Sequence, residues 1–186
     1  MLKYTVIEFF TKRKKDYCKI GFNQIETTGK GLDHYNALYT KISDQPISKS
    51  IDDCKMRLEA HLMFASELVD NTINLDENMD YEKYFKEFSH QGDQRFEGVD
   101  VTKIEFIPNK DGELHGVKIY GKKVTQYTDK PYTNKISTPV IQLNKESDNY
   151  YKLVVILDEQ VHELLTAIDE HQEKAQAKRD AQLKIA

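Results

Sequence analysis

Basic residues are concentrated in two stretches of the sequence, and the second stretch also carries tyrosines. The members that we take as candidate binding residues are Lys12, Arg13, Lys14, Lys15, Lys118, Tyr120, Lys122, Lys123 and Tyr127. Ammonium and guanidinium groups neutralise phosphates, and aromatic rings stack on unpaired bases. The pattern therefore predicts a surface that binds single-stranded nucleic acid. The alternative is a solvated sheet face on which tyrosine rings pack along neighbouring side chains.

Two Glu-x-x-His sequences, Glu87–His90 and Glu159–His162, have the spacing with which helices of di-iron bundles bind metal. Such a centre also needs a glutamate from each of two further helices, and helical periodicity places the second pair on the outer side of its helix. Cys54 and His61 lie two turns apart on one helix face, without a third ligand or a base. We therefore expect no metal, no cofactor and no catalytic residue. A metal-dependent enzyme is an alternative that rests on the Glu-x-x-His pairs alone.

The composition is typical of a folded, well-solvated protein. The chain has 186 residues, a formal net charge of −4 and two cysteines, Cys18 and Cys54, which form no disulfide framework. The charge is segregated, since residues 1–30 and 103–135 are basic and residues 51–100 are acidic. The sequence has no apolar run that could span a membrane, and it begins without a secretion signal. We expect a cytoplasmic protein.

The stretches that must position the candidate residues recur along the chain. Thr5-Val6-Ile7-Glu8-Phe9 is matched by Thr102-Lys103-Ile104-Glu105-Phe106. Three further matches follow in the same order: Lys19-Ile20-Gly21 with Lys118-Ile119 and Gly121, Tyr39–Ser43 with Tyr132–Ser137, and the helical stripe Cys54, Leu58, Leu62, Ala65 and Val69 with Leu153, Leu157, Val161, Leu164 and Ile168. Self-similarity of this kind indicates a duplicated unit.

Each copy is predicted to contain antiparallel strands followed by one helix. In the first copy we predict strands at 2–10, 17–25 and 35–42, a polar turn at 11–16, and a helix capped by Ser50, with Asp53 as its capping-box partner, that runs to about residue 69. In the second copy we predict strands at 99–107, 114–120 and 136–143, and a long helix capped by Asp148 or Asn149. Residues 122–127 either continue the second of these strands beyond Gly121 as a bend or form a third strand, and Pro139 interrupts the last strand as an edge or a bulge.

The sequence thus predicts an α+β fold made of two tandem copies of an antiparallel strands-then-helix unit, related by a pseudo-twofold axis. The predicted domains are a first repeat at 1–70, an acidic linker with a short helix at 71–98, a second repeat at 99–172 and an exposed helical tail at 173–186. The tail has high helix propensity and little to bury. It is therefore either solvated or a site for a partner.

Two resemblances accompany this prediction. Gly116-Val117-Lys118-Ile119-Tyr120-Gly121, with Ser137-Thr138-Pro139-Val140-Ile141 and Tyr150-Tyr151, is similar to small uncharacterised proteins of bacteriophages and related mobile elements, over about residues 99–170. This resemblance implies a two-copy version of a unit that otherwise pairs as a dimer. The order of elements in each copy resembles the unit of Whirly and PUR-type single-strand-binding proteins, in which two units pair.

Two functional hypotheses follow. The first is a non-enzymatic, phage-encoded accessory protein that binds single-stranded nucleic acid through the basic hairpin and the lysine–tyrosine strand. The second is a protein–protein interaction module, such as a phage assembly or inhibitor protein, that acts through the C-terminal helix. Both allow a homo-oligomer, and neither involves a membrane.

Overall fold

The structure, a computed structural model, describes residues 3–25, 36–42, 45–65, 98–125, 132–143 and 151–183 of the chain. In chain order its elements are β1 (Tyr4–Lys12), β2 (Lys15–Ile25), β3 (Asn36–Ile42), α1 (Lys49–Ala65), β4 (Val99–Pro108), β5 (Leu114–Thr125), β6 (Tyr132–Ser137), β7 (Ile141–Gln142) and α2 (Tyr151–Leu183). The prediction of an α+β fold is confirmed. Three predicted features lie outside the described residues: the linker at 71–98 apart from Gly98, the first helix beyond Ala65, and the caps Asp148 and Asn149.

The strands form one antiparallel sheet in the order β3-β2-β1-β4-β5-β6, and the short β7 also pairs with β5. Its centre is the pairing of β1 with β4. Three residue pairs join these strands: Val6 with Glu105, Ile7 with Ile104, and Glu8 with Lys103. The two stretches with the closest sequence match are therefore direct neighbours at the middle of the sheet.

One face of the sheet packs against both helices and holds the hydrophobic core. Alternate strand residues point to this face, because successive side chains of a strand lie on opposite sides. Its buried members include Ile7, Ile20, Ile104 and Ile119 from the four central strands, and Leu58, Leu62, Leu157 and Leu164 from the helices. The apolar stripe of each helix thus covers the apolar side of an amphipathic sheet.

The helices also pack against each other above the sheet. Nε2 of His61 lies 3.1 Å from Oε1 of Gln160, and both side chains are buried. Burial lowers the pKa of His61 to about 3, so the imidazole is neutral at physiological pH. An ion pair between Arg57 and Glu163, at 2.5 Å, joins the helices one turn away. The interface therefore combines apolar packing with two polar contacts.

The second helix is longer than the part of it that covers the sheet. Near its middle, the carboxylate of Asp169 accepts hydrogen bonds from Lys3 and from the hydroxyl of Tyr4 at the start of β1. Beyond residue 172 most side chains are exposed, although Ala175 is buried. The helix is continuous to Leu183, which is 76 % exposed. The predicted helical tail is thus an extension of α2 as far as this residue.

A two-residue turn at Arg13 and Lys14 joins β1 to β2. These residues have φ values of 53° and 61°. Positive φ at both central residues is the geometry of a type I′ turn, whose twist matches that of the flanking strands. Asn and Gly usually fill such turns, so an Arg-Lys pair gives no signal of one. The turn predicted at 11–16 is consequently too long, and β2 begins at Lys15.

The N-cap of α1 is Ser48, and the prediction of Ser50 is wrong. The backbone N–H of Ile51 donates to the Ser48 hydroxyl oxygen at 3.3 Å. This bond satisfies one of the N–H groups that a helix leaves without a partner in its first turn. Ile51 then occupies the third helical position, where a capping box needs Glu or Gln. The predicted capping box with Asp53 is therefore absent.

The second half of the sheet differs from the prediction in two places. β5 runs without a break through Gly121, so the two predicted segments are one strand as far as residue 125. The strand predicted at 136–143 is interrupted at Pro139 as expected, because proline lacks the N–H group that a ladder needs, and the interruption separates β6 from β7. β6 begins earlier than predicted, at Tyr132. Thr138 bridges the interruption: its backbone N–H donates to the carbonyl of Ile119, and its hydroxyl accepts the Ile119 N–H.

Gly121 lies where α1 packs on the sheet. A Cβ atom at this position would touch the side chain of Leu62 and would lie 2.6 Å from the carbonyl oxygen of Asp100. We expect Gly121→Ala to lower the free energy of unfolding by about 1–3 kcal/mol, because the backbone oxygen cannot move aside. Urea unfolding measures this change. Ser137→Ala, at an exposed position, is the control, and an equal loss in both variants would contradict the contact.

Candidate nucleic-acid interface

The face of the sheet opposite the helices, which we call the open face, is rich in lysine. Residues opposite each other on neighbouring strands share a face, so the registers assign its members. Its lysines are Lys12, Lys15, Lys19, Lys103, Lys118, Lys122 and Lys135, its carboxylates are Glu8, Asp100 and Glu105, and its aromatic residues are Phe10, Tyr17 and Tyr120. Both described helices lie on the other side of the sheet. The open face therefore combines an excess of positive charge with three aromatic rings.

Tyr120 is the centre of a charged cluster on β4 and β5. Its hydroxyl donates to Oε2 of Glu105 at 2.6 Å, and Oε1 of the same carboxylate is 2.6 Å from Nζ of Lys103. The ammonium groups of Lys103 and Lys118 lie 3.9 and 5.0 Å from the centroid of the tyrosine ring, within the range of cation–π attraction. A ring held in this way is fixed in position and surrounded by positive charge.

The hydrogen bonds of this cluster set its protonation. The bond to Glu105, with some desolvation, raises the pKa of Tyr120 to about 12. Desolvation alone would raise the pKa of Glu105, but the bonds from Lys103 and Tyr120 hold it below its ordinary value. The tyrosine is therefore protonated and the glutamate ionised across the physiological pH range.

The first half of the open face is built from β1 and β2. The rings of Phe10 and Tyr17 stack across the two strands, with centroids 5.8 Å apart and an interplanar angle of 19°. Two residues further along these strands, Glu8 and Lys19 face each other and form an ion pair at 3.4 Å. The turn at Arg13 and Lys14 closes this end of the sheet. Aromatic and basic groups are thus present on both halves of the open face.

Asp100 connects the open face with the helix layer. Its carboxylate binds Lys122 of β5 at 3.0 Å and also accepts a hydrogen bond from Lys55 of α1. These bonds outweigh its desolvation and hold the pKa of Asp100 below its ordinary value. One turn along α1 lies Glu59, which is 3 % exposed and has the backbone of Val101 and the charges of Lys55 and Asp100 as neighbours. Burial dominates there and raises the pKa of Glu59 to about 8.

The structure places most of the predicted binding residues on the open face or beside it. Lys12, Lys15, Lys118, Tyr120 and Lys122 belong to the open face, and Arg13 and Lys14 form the adjoining turn. Lys123 lies opposite the buried Val99 and therefore on the helix side of the sheet. Tyr127 lies outside the described residues. Because β1 and β4 are antiparallel, the turn is at the same end of the sheet as Lys122.

Five basic or aromatic residues of the open face are absent from the predicted set: Lys19, Lys103, Lys135, Phe10 and Tyr17. The signal that could have found those on β2 is the spacing of two, since Tyr17 and Lys19 alternate with the core residues Cys18 and Ile20. Lys103 is different, because a bulge at Thr102 interrupts the alternation along β4. Its place on the open face follows only from the register.

The candidate metal and nucleophile residues have ordinary environments where the structure describes them. Glu159 is exposed and His162 has 64 % of its side chain exposed, whereas Glu87 and His90 lie outside the described residues. Within the described ranges, no group of three or more His, Cys, Asp or Glu residues could hold a metal ion. Burial raises the pKa of Cys54, whose sulfur accepts a hydrogen bond from Arg57 at 3.3 Å. The thiol is therefore protonated at neutral pH.

No protein-family model, curated protein or solved structure matches the chain. The fold and the open face nevertheless define a class: an α+β protein whose antiparallel sheet carries two helices on one side and charged and aromatic side chains on the other. In the part of the chain that the structure describes, no helix is both long and apolar enough to cross a membrane. Function is therefore inferred from the residues of the open face.

The buried carboxyl of Glu59 predicts a pH dependence of stability. The folded chain keeps this group protonated up to about pH 8, whereas the unfolded chain releases the proton near its ordinary pKa of 4.5. The unfolded state thus binds fewer protons between these values, and the free energy of unfolding falls as the pH rises. We expect Glu59→Gln to remove this fall, which is roughly 1 kcal/mol per pH unit.

Urea unfolding of the wild type and the variant at several pH values between 5 and 8 measures the difference. Glu173→Gln, at an exposed position of α2, is the matched control and should follow the wild type. Parallel pH profiles of the wild type and Glu59→Gln would show that the carboxyl ionises with its ordinary pKa in the folded chain.

Proposed function

We propose that this chain is a non-enzymatic accessory protein that binds single-stranded nucleic acid on the open face, and that its two halves are tandem copies related by an approximate twofold axis. The observation that carries the proposal is the composition of that face, on which the described side chains include seven lysines and three aromatic residues against three carboxylates. Phosphates and unpaired bases are the ligand groups that this combination suits.

The distribution of charge favours a polyanionic ligand. The chain as a whole has a formal net charge of −4, yet lysines outnumber carboxylates on the open face, and Arg13 and Lys14 add to them at one end. A surface of one sign on a protein of the other sign attracts its ligand locally. In the sequence, the acidic residues that balance this charge are concentrated between residues 51 and 100.

Two cross-strand pairs on the open face join like charges. Lys12 lies opposite Lys15, and Lys122 lies opposite Lys135. Like charges directly opposite each other destabilise a sheet. Their presence has a physical reason if bound phosphates neutralise them, since displaced counterions then add to the binding free energy.

The partly exposed aromatic rings of the open face favour single strands over duplexes. Tyr120, Phe10 and Tyr17 are half-buried, so each ring still presents part of its surface to solvent. Bases can stack on such rings only when they are unpaired.

The register of the central strands supports the tandem repeat. In the sequence match, Val6 corresponds to Lys103 and Glu8 to Glu105. The ladder pairs Val6 with Glu105 and Glu8 with Lys103. Exchanging the two copies therefore leaves the set of paired residues unchanged. This is what a twofold axis between Ile7 and Ile104 requires.

Two further features support the same axis. The ladder of the first hairpin shifts register at Thr5, and that of the second shifts at Thr102, which are corresponding residues in the match. In the helical stripes, His61 corresponds to Gln160, and these side chains contact each other. A residue that touches its own counterpart lies on or near a twofold axis.

The third strands depart from the sequence match. Given the two shifts, Phe22 and Gly121 occupy corresponding ladder positions. Phe22 lies opposite Tyr39, whereas Gly121 lies opposite Ile136. By strand pairing, Tyr39 in the first copy therefore corresponds to Ile136 in the second copy. The sequence match instead aligned Tyr39 with Tyr132, so that part of the match disagrees with the structure.

Binding of this kind should depend steeply on salt. We expect the full chain to bind a fluorescein-labelled single-stranded oligonucleotide in anisotropy titrations at low salt and to release it as salt increases. The double variant Lys12→Gln/Lys15→Gln should lower the slope of log K against log salt by roughly 1, because a single strand contributes about 0.7 per neutralised phosphate.

The matched control is Lys174→Gln/Lys178→Gln, which changes the charge equally on exposed positions of α2. It should leave the slope unchanged. Absence of binding by the wild type at low salt, or an equal loss of slope in both double variants, would contradict binding on the open face.

A further inference from the structure

We propose that the open face has one principal base-stacking subsite, on Tyr120 in the second half, and that the first half binds mainly the phosphate backbone. This inference rests on the function proposed above and specifies its ligand. The ligand is a single strand that places one unpaired base on Tyr120, with flanking phosphates on Lys103 and Lys118. The two copies would then share a fold but bind different groups of the ligand.

Corresponding positions in the two halves differ in chemistry. In the second hairpin, Lys103 lies opposite Tyr120 directly after the register shift. In the first hairpin, Val6 lies opposite Gly21 directly after the corresponding shift. The first half thus has neither a ring nor a cation where the second half has both.

The ring of Tyr120 is prepared for stacking. Its hydroxyl is fixed by the hydrogen bond to Glu105 at 2.6 Å, so little side-chain freedom is lost when a ligand binds. The ammonium of Lys103 lies 3.9 Å from the ring centroid. A base stacked on the same ring would displace this ammonium, and the lysine stem is long enough to carry it to an adjacent phosphate.

The aromatic pair of the first half is less available. Phe10 and Tyr17 stack on each other, so one side of each ring is covered and only the other side can contact a base. Within the described residues no second ring stacks on Tyr120. The partners of this ring are two lysines and a carboxylate, which a charged ligand can rearrange.

Oligonucleotides with and without bases test the subsite. We expect Tyr120→Leu to weaken binding of a base-bearing single strand by roughly tenfold, and Tyr120→Phe to weaken it much less, because stacking needs the ring and not the hydroxyl. On an abasic oligonucleotide of the same length, Tyr120→Leu should bind as the wild type does. Tyr132→Leu is the control, since Tyr132 is 62 % exposed but lies on the other face of the sheet.

A second measurement uses the wild-type chain and so does not depend on the folding of a variant. Irradiation of a complex with a 5-bromouracil oligonucleotide, followed by peptide mapping, should place the crosslink on the peptide that contains Tyr120. Equal loss on base-bearing and abasic strands, or a crosslink confined to the peptide of Tyr17, would overturn this inference while nucleic-acid binding stands. Failure of the wild type to bind either oligonucleotide would overturn the proposed function together with it.

Discussion

The antiparallel pairing of β1 with β4 holds the two halves of the sheet together, and it is short. Three residue pairs make it, with the buried Ile7 and Ile104 facing each other at its centre. The helices extend the same junction, because α1 lies on β4 and β5 while α2 reaches the start of β1 through Asp169. Apolar burial on this one side needs both helices together, since each half alone is near the lower limit for a stable core. The other side of the sheet is thereby left to polar and charged groups.

The two sides of the sheet therefore differ in the chemistry of their side chains. Buried side chains between the sheet and the helices are mostly apolar, and His61 and Glu59 of α1 are kept neutral by burial. The charged residues of the open face are partly or fully exposed, and several form contacts that fix their positions without removing their charge, as around Tyr120. Asp100 connects the two layers, since it binds one lysine from α1 and one from β5.

The sequence predicted the α+β class, the strands and the helical seam, because alternation and helical periodicity are local signals. The prediction was wrong where the backbone conformation or the hydrogen bond of a single residue determines the local structure. The hairpin turn at Arg13 and Lys14 has positive φ values, which are unusual for both residue types and so could not be predicted from them. The N-cap of α1 depends on which of two nearby serines accepts a hydrogen bond from a backbone N–H of the first helical turn. The candidate site was predicted through its most basic stretches, but Lys103 joined it only through the bulge at Thr102 and the β4–β5 register. Register is a property of paired strands, which no single stretch of sequence contains.

The most direct test of the open face is an NMR titration of the ¹⁵N-labelled full chain with a short single-stranded oligonucleotide. Amide shifts should change in β1, β2, β4 and β5, with the largest changes around Tyr120 and Lys103, and the helix α2 should change little. Changes concentrated in α2 and its C-terminal extension, with the strands unaffected, would contradict the account and would indicate that the chain acts through its helical surface.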